Sequence, residues 1–359
     1  MDLREMKTTI KAMAKYKPER IHFDSDKVFV IVGAMRIERE MKPDANGFSL
    51  SFPQLAAFVA GATGESICFE STAGSAVTVR TESASIDLQS EDIDGSFEPT
   101  EPRFVGILPN LFASKILRSI SKTAGSGDLF LRIDADGAVE VAVTDSVRLA
   151  VVSGTMDTAP VSAVTYCLPA TVAFVAPLFG SEREIAMAVF RDLRFVLAAN
   201  GWNVYANMSE KTPINYRAIM PRSLANRAFL PVKETEQALS ALLPFAPTNY
   251  GKARKGKPAK AGRNTGRMLF ESNGGTSLHV TASDEYRDNG PVKLERSIQS
   301  ETDGTIKHQY NARYILDVLE SVSDKQVTWR MNTVNEPSIF DCKTENGLDM
   351  RYLLMPINL

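Results

Sequence analysis

An α+β fold made of three similar domains is what the sequence predicts, and three observations predict it. First, three stretches read alike: Phe48-Ser-Leu-Ser-Phe-Pro-Gln-Leu-Ala-Ala-Phe-Val59, Tyr166-Cys-Leu-Pro-Ala-Thr-Val-Ala-Phe-Val175 and Gln309-Tyr-Asn-Ala-Arg-Tyr-Ile-Leu-Asp-Val-Leu319. Each is a short strand running into a short apolar helix. Second, each is followed by a polar turn and three runs that alternate apolar and polar residues, the pattern of half-buried antiparallel strands. Third, helices and strands come in blocks rather than in the strict βα alternation of a parallel sheet. Each domain is therefore expected to hold two halves, each a helix plus an antiparallel sheet.

The elements follow in order. Leu50, Leu168 and Tyr310 mark equivalent points, 118 and 142 residues apart. Strands are expected at 66–71, 76–81 and 84–89 after the first mark, at 184–189, 194–199 and 204–208 after the second, and at 326–331, 338–342 and 350–355 after the third. The first half of each unit opens with a helix, at about 3–15, 109–122 and 233–243. In the second unit, strands at 128–134 and 139–144 meet at the turn Asp136-Gly137, and another runs through 148–153. The Pro-containing links 97–103 and 220–231 are the natural boundaries. They give domains 1–102, 103–224 and 225–359. The wider second spacing holds the Gly/Lys-rich stretch Tyr250–Gly266, which reads as a loop insertion.

A chain of 359 residues with 44% hydrophobic and 23% charged residues has a globular composition, not a disordered or collagen-like one. The longest apolar stretch, 163–179, is interrupted by Pro169 and Pro177, so no membrane helix is expected. The opening segment is charged from Asp2 onward and has no apolar signal core. Cys68, Cys167 and Cys342 lie far apart with no Cys-x-x-Cys spacing, which fits a reduced, cytoplasmic setting. No metal or cofactor is expected. Whole-chain charge is −2, but it is segregated: residues 43–102 carry one cation, Arg80, against ten acids, and residues 249–267 carry seven Lys/Arg and no acid. Such blocks imply one cationic and one anionic surface.

The helices place part of the positive charge. On a 3.6-residue wheel Arg4, Lys7, Lys11 and Lys15 form one stripe, beside Leu3, Met6, Ile10, Met13 and Ala14. In the second domain Lys115, Arg118 and Lys122 share a face opposite Phe112, Ile116, Leu117 and Ile120. The third helix offers Glu234 and Glu236 instead, and its domain carries its charge in the loop, at Lys252, Arg254, Lys255 and Lys257. A chemical site is harder to find. There is no Gly-x-Ser-x-Gly elbow, no phosphate-binding Gly-rich motif, and none of the three histidines lies in a catalytic pattern. Asp134-Ala-Asp-Gly137 resembles the start of a calcium loop, yet loop position 12 is Asp145 rather than glutamate, and a tight turn explains it better. The chain is not expected to be an enzyme.

The most specific signal is at the end of the chain. Tyr310-Asn-Ala-Arg-Tyr-Ile-Leu-Asp-Val-Leu319, about thirty residues of strand, and then Tyr352-Leu-Leu-Met-Pro-Ile-Asn-Leu359 together resemble the bacterial β sliding clamps, the processivity subunits of DNA polymerase III. Val143-Thr-Asp-Ser-Val-Arg-Leu-Ala-Val151 is similar to that family's Thr-Asp-Gly-His-Arg-Leu-Ala-Val segment. Thr212-Pro-Ile-Asn-Tyr-Arg-Ala-Ile-Met-Pro221 is similar to its Phe-Pro-Asp-Tyr-Arg-x-Val-Leu-Pro link between the second and third domains. The resemblance runs from about Phe48 to Leu359. The first 45 residues match poorly, and the family's opening strand is shortened.

The resemblance implies a ring of two three-domain chains, with helices lining the hole and a continuous sheet outside. Duplex DNA passes through without being read, and the replicative polymerase and clamp loader bind by short linear peptides. The cationic helix stripes would face phosphate, and the acidic block would keep DNA off the exterior. Matched residue by residue, the peptide groove has Thr144, Arg148, Leu149, Pro221, Leu353, Leu354, Met355 and Pro356 as its wall. Ser146 and Val147 replace Gly-His at its rim, and Asn358 replaces an arginine. The dimer contact falls on the edge strand 83–89, through Ile86 and Leu88, against Leu243 and Phe245. The loop Tyr250–Gly266 would add phosphate contacts that the third helix lacks. The alternative reading is a non-ring nucleic-acid-binding or scaffolding protein of the replication machinery.

Overall fold

The computed structural model describes residues 1–33, 35–44, 47–71, 75–92, 101–123, 128–180, 182–247, 266–284, 291–332 and 335–357. In chain order the first span holds α1 (Leu3–Ala14), β1 (Arg20–Phe23), β2 (Lys27–Val32), β3 (Met35–Glu40), β4 (Phe48–Ser51), α2 (Phe52–Gly61), β5 (Ile67–Ser71), β6 (Ala76–Thr81) and β7 (Ser85–Asp92). The second holds β8 (Pro102–Pro109), α3 (Lys115–Thr123), β9 (Asp128–Ile133), β10 (Ala138–Thr144), β11 (Arg148–Thr155), β12 (Val164–Pro169), α4 (Val172–Val175), β13 (Glu184–Phe190), β14 (Arg194–Ala199) and β15 (Trp202–Asn207). The third holds β16 (Asn226–Pro231), α5 (Val232–Leu242), β17 (Arg267–Ser272), β18 (Gly275–Asp284), β19 (Val292–Asp303), β20 (Ile306–Asn311), α6 (Ala312–Leu319), β21 (Gln326–Met331), β22 (Ser338–Lys343) and β23 (Asp349–Leu354). The three marker residues fall at equivalent places, in β4, β12 and β20, each strand running into a helix.

The chain forms two compact units. One is Met1–Asn110, Met156–Val161 and Phe174–Lys211; the other is Leu111–Thr155, Ser162–Ala173 and Thr212–Leu359. The expected middle domain thus supplies strands to both. The first unit holds one 11-stranded sheet and the second one 12-stranded sheet, all ladders antiparallel. One ladder order recurs as β4-β1-β2-β3, β12-β9-β10-β11 and β20-β17-β18-β19. A second recurs as β8-β13-β14-β15 and β16-β21-β22-β23, with a three-stranded version, β5-β6-β7. The two orders join at β3–β15 and β11–β23, and also at β4–β7 and β16–β19.

Local chemistry accounts for the helices. Asp2 caps α1, accepting from the backbone N–H of Arg4 and Glu5 at 2.7 and 3.0 Å. Leu3, Met6, Ile10 and Met13 are buried, and Arg4, Lys11 and Lys15 are exposed. Asn311 caps α6 in the same way. In α3, Ile116, Leu117 and Ile120 are fully buried, while Lys115 and Lys122 are exposed and Arg118 is half-buried. The strands alternate as expected. Ile21, Phe23, Val28, Val30 and Ile37 face the core of the first unit, where Phe23 stacks on Phe48 at 4.8 Å. In the second unit, Phe270, Tyr310, Trp329, Phe340 and Tyr352 form a run of ring contacts between 5.1 and 6.1 Å.

The opposite face of the first sheet carries His22, stacked on Phe29 at 4.6 Å, with the Arg36 guanidinium 3.6 Å from the Phe29 centroid. Burial, with Arg20 and Arg36 adding to it, pushes His22 down from 6.5 to about 4. Burial lowers His308 as well. The unfolded chain therefore binds more protons than the folded one between about pH 6.5 and 4, and stability is lost as pH falls through that window. For His22 the loss amounts to about 2 kcal/mol once the ring's partial exposure is allowed for. His22→Phe should flatten this part of the stability–pH curve in urea titrations. A curve unchanged between pH 6.5 and 4 would refute the assignment.

Candidate functional site

Two surfaces matter, and both are built by alternation. The first lies where β11 pairs with β23, entirely within the second unit. Thr144 opposes Leu149 across β10 and β11, and Leu149 opposes Leu353 across β11 and β23. These three side chains therefore share one face. Phe130, Ala142, Val151, Cys167 and Tyr216 complete an apolar cluster with Leu149 and Leu353, and Met220 packs against it. The link that carries Met220 and the half-buried Pro221 is pinned down by its neighbours. Tyr216 Oη donates to Glu140 Oε2 at 2.7 Å, and Arg217 reaches Glu140 and Asp134 at 3.0 and 2.8 Å. Desolvation would raise Asp134, but the guanidinium bonds from Arg132 and Arg217 outweigh it and hold the carboxyl below its ordinary range. Beyond the cluster the same face opens into a cleft of about 820 Å³, lined by Val151, Tyr216 and Met220 with a charged rim that includes Asp341 and Arg351.

The tail completes the groove. Met355 is 37% exposed. Its N–H donates to Val147 O at 2.9 Å, and Ile357 N donates to Gln309 O at 2.7 Å. Pro356 is half-buried beside it. Val147 stands on the β10–β11 turn, where Ser146 has φ +73°. That left-handed conformation suits glycine, the residue of the similar motif, and is strained for serine. The Asp145 carboxylate stabilises the turn by accepting from the N–H groups of Val147 and Arg148.

Two wall residues of the sequence reading do not line this groove. Arg148 opposes Leu354 in the ladder, one residue out of phase with Leu149 and Leu353. Both point to the other face, toward the helices, because side chains alternate along a strand. The Arg148 side chain is 1% exposed and Leu354 is fully buried. Sequence reasoning also missed Phe130, Val151, Tyr216 and Met220. For Val151 the signal was available, two residues beyond Leu149 on the same strand.

The equivalent seam, β3 with β15, carries charge where this one is apolar. The register position of Leu149 is held there by Arg36, opposite Tyr205. Arg36 and Glu38 are nearly buried and pair at 2.5 Å. A closed ion pair over Phe29 occupies the space that is apolar at the other seam.

The cationic stripes lie one in each unit. Arg4 and Lys11 on α1, with Lys15 at its C-cap, form the stripe of the first, and Lys115, Arg118 and Lys122 on α3 form that of the second. Lys7 departs from its stripe: its Nζ donates to Ala62 O at 2.6 Å. Lys252, Arg254, Lys255 and Lys257, with the rest of 250–265, lie outside the described residues, as does Asn358. Of the expected dimer contact, Leu88 is 3% exposed and faces Val77 in the core, so it is an internal residue. Ile86 is half-buried, as are Leu243 and Phe245, whose turn packs beside β18 and β19.

Two helices carry cationic stripes, the antiparallel sheets continue from one repeat into the next, and an apolar groove lies at one seam. The solved structures agree on the fold. The chain is similar to the DNA polymerase III β-subunit sliding clamp of Pseudomonas aeruginosa bound to griselimycin, with a TM-score of 0.80 at 12% identity over 100% of this chain and 98% of that one. It is similar to the DNA polymerase sliding clamp of Bacillus subtilis, with a TM-score of 0.79 at 13% identity over 100% and 98%. It is also similar to the Helicobacter pylori β clamp bound to a DNA ligase peptide, with a TM-score of 0.77 at 14% identity over 100% and 99%. The chain therefore has the bacterial β-clamp fold over its whole length. No family model matches the sequence, and no curated protein matches it. Among the described residues no helix is long and apolar enough to cross a membrane.

Proposed function

We propose that this protein is a DNA sliding clamp of the cytoplasm: a homodimeric ring that encircles duplex DNA and tethers the replicative polymerase, without catalysing a reaction itself. Its repeat units are the spans 1–102, 103–224 and 225–359. The observation that carries the reading is the joining rule of the sheets. The last strand of one ladder pairs with the last strand of the next repeat's second ladder, at β3–β15 and at β11–β23. Continued once more, the rule calls for β19 with β7. Within one chain neither is satisfied. β19 pairs with β18 along Val292–Thr302 and meets β16 only at Thr302 and Asp303. β7 pairs with β6 through Ser85–Gln89 and with β4 through Ser90–Asp92. Among the described residues this leaves one side of Val292–Glu301 and one side of Ser85–Gln89 without a ladder. A second copy supplies both partners, and two such seams close a ring. The partner groove would take short peptides from the polymerase and loader, of the kind represented by the DNA ligase peptide on the H. pylori clamp.

A ring has a topological signature. The protein, loaded on nicked circular DNA, should stay bound through gel filtration and be released when the circle is linearised. Equal retention on both forms would refute the ring. Neutralising Lys115, Arg118 and Lys122 to Ser should flatten the log–log salt dependence of DNA binding by about two to three units, at roughly 0.9 per phosphate contact. The change should be equal for all sequences, because phosphate contacts carry no base information. An unchanged slope would remove α3 from the DNA surface.

A further inference from the structure

Arg148 sits behind the groove rather than in it, and its contacts reach three separate elements. Nε donates to Asp145 Oδ2 at 3.0 Å in the β10–β11 turn, and Nη1 donates to Asp317 Oδ2 at 2.5 Å in α6. Nη2 donates to Thr123 Oγ1 at 3.2 Å at the end of α3. The guanidinium carbon lies 4.1 Å from the Tyr314 ring centroid. The partners are themselves tied: Thr123 Oγ1 donates to Asp145 at 2.7 Å, and Ser119 Oγ donates to Asp317 at 2.6 Å. The result is a buried fork with a carboxylate on each side, a geometry that only a planar guanidinium satisfies.

The line from this network to the groove is short. Asp145 fixes the Val147 and Arg148 amides, and Val147 O receives the Met355 amide. Without the guanidinium, the nearly buried Asp145 carboxylate keeps its two amides and Thr123 but has no counter-charge, which favours drawing in water or turning outward. Either movement shifts the turn on which Met355 hangs.

We propose that Arg148 is a positioning residue for the partner groove: from the helix side of the sheet it locks α3, α6 and the β10–β11 turn into one frame, and that frame sets where Met355 stands. The proposal rests on the groove reading above and extends it. Affinity for a partner peptide then depends on a side chain that the peptide does not touch.

The test uses the full-length protein, a fluorescein-labelled copy of the DNA ligase peptide as the probe, and amide hydrogen exchange. Arg148→Met should weaken peptide binding about tenfold or more and speed exchange at the Met355 amide, while exchange in β13 and β14 stays unchanged. Arg148→Lys should rescue little, since one ammonium cannot bridge both carboxylates and Thr123. Asp317→Asn, at a more exposed position that should spare folding, should move both readouts in the same direction. Adding it to Arg148→Met should cost less than the two single effects combined, because both act through one network. Binding within twofold of the parent, or an unchanged Met355 amide in both single variants, would overturn the proposal. If the unaltered protein fails to bind the peptide, the groove reading falls by itself, and the Met355 amide still decides whether Arg148 positions the turn.

Discussion

Ile86→Glu combined with Phe245→Glu should convert the dimer to folded monomers. Ile86 lies on the half of β7 whose second side lacks a ladder, and Phe245 lies in the turn beside β19, the strand with the matching open edge. Both are half-buried within their own chain, so each has room to carry a charge in the monomer. On the proposed pairing of β19 with β7, each glutamate would stand where the partner chain excludes water. Burying one unpaired charge there costs about 2 kcal/mol or more, and a two-seam ring meets each substitution twice. The dimer constant should therefore weaken by a factor on the order of 10⁶. Sedimentation velocity at micromolar concentration should show monomer, with a thermal melt close to that of the parent. Retention on circular DNA should vanish with the dimer. A double variant that still sediments as a dimer would place the seam elsewhere. Leu88 is left unaltered in this test: its side chain belongs to the core of the first unit, and a charge there would unfold the domain before it opened a ring.

How much of this was legible in the sequence follows from the range of the interactions involved. The strands at 76–81, 194–199 and 326–331 and the faces of α1 and α3 are local patterns, and the structure holds them where alternation and the 3.6-residue wheel put them. The groove was half legible. Motif similarity marks Thr144, Arg148, Leu149, Leu353 and Leu354 as a block, but a block of consecutive residues in a strand is divided between two faces. Only the register, Leu149 opposite Leu353, says which half faces out. Tyr216 and Met220 join the cluster because Glu140 and Asp134, more than seventy residues earlier, anchor the link through Tyr216 and Arg217. No local pattern carries that. The same holds for the seams: β3 with β15 and β11 with β23 are pairings between distant strands, and they become visible as a rule only when both are seen. The Arg36–Glu38 pair at the first seam is the opposite case: two residues apart on β3, the side chains share a face by simple alternation.

The groove itself predicts the effect of a side chain that stands on its surface. On the proposed reading Met355 is an exposed member of the groove: its backbone is held by Val147, and its unbranched thioether can adapt to different peptides. Grooves of this kind concentrate their affinity in a few apolar anchors, and truncating one typically costs 2 kcal/mol or more. Met355→Ala should thus weaken binding of the ligase peptide about thirtyfold. Dimer formation, the melt and the Met355 amide should stay as they are, since the backbone bond to Val147 does not need the side chain. This separates it from Arg148→Met, which is expected to weaken binding and loosen that amide together. A point substitution is also cleaner than removing residues 355–359. That deletion would break the bonds to Val147 and Gln309 as well, and so would disturb two strands besides the groove. Met355→Asp should go further than alanine, because it sets a carboxylate against Leu149 and Leu353 wherever a peptide excludes water. Fluorescence anisotropy at fixed salt measures all three. Unchanged affinity in both Met355 variants would move the partner site off the β11–β23 seam, and the cleft bounded by Val151 and Met220 would be the next surface to probe.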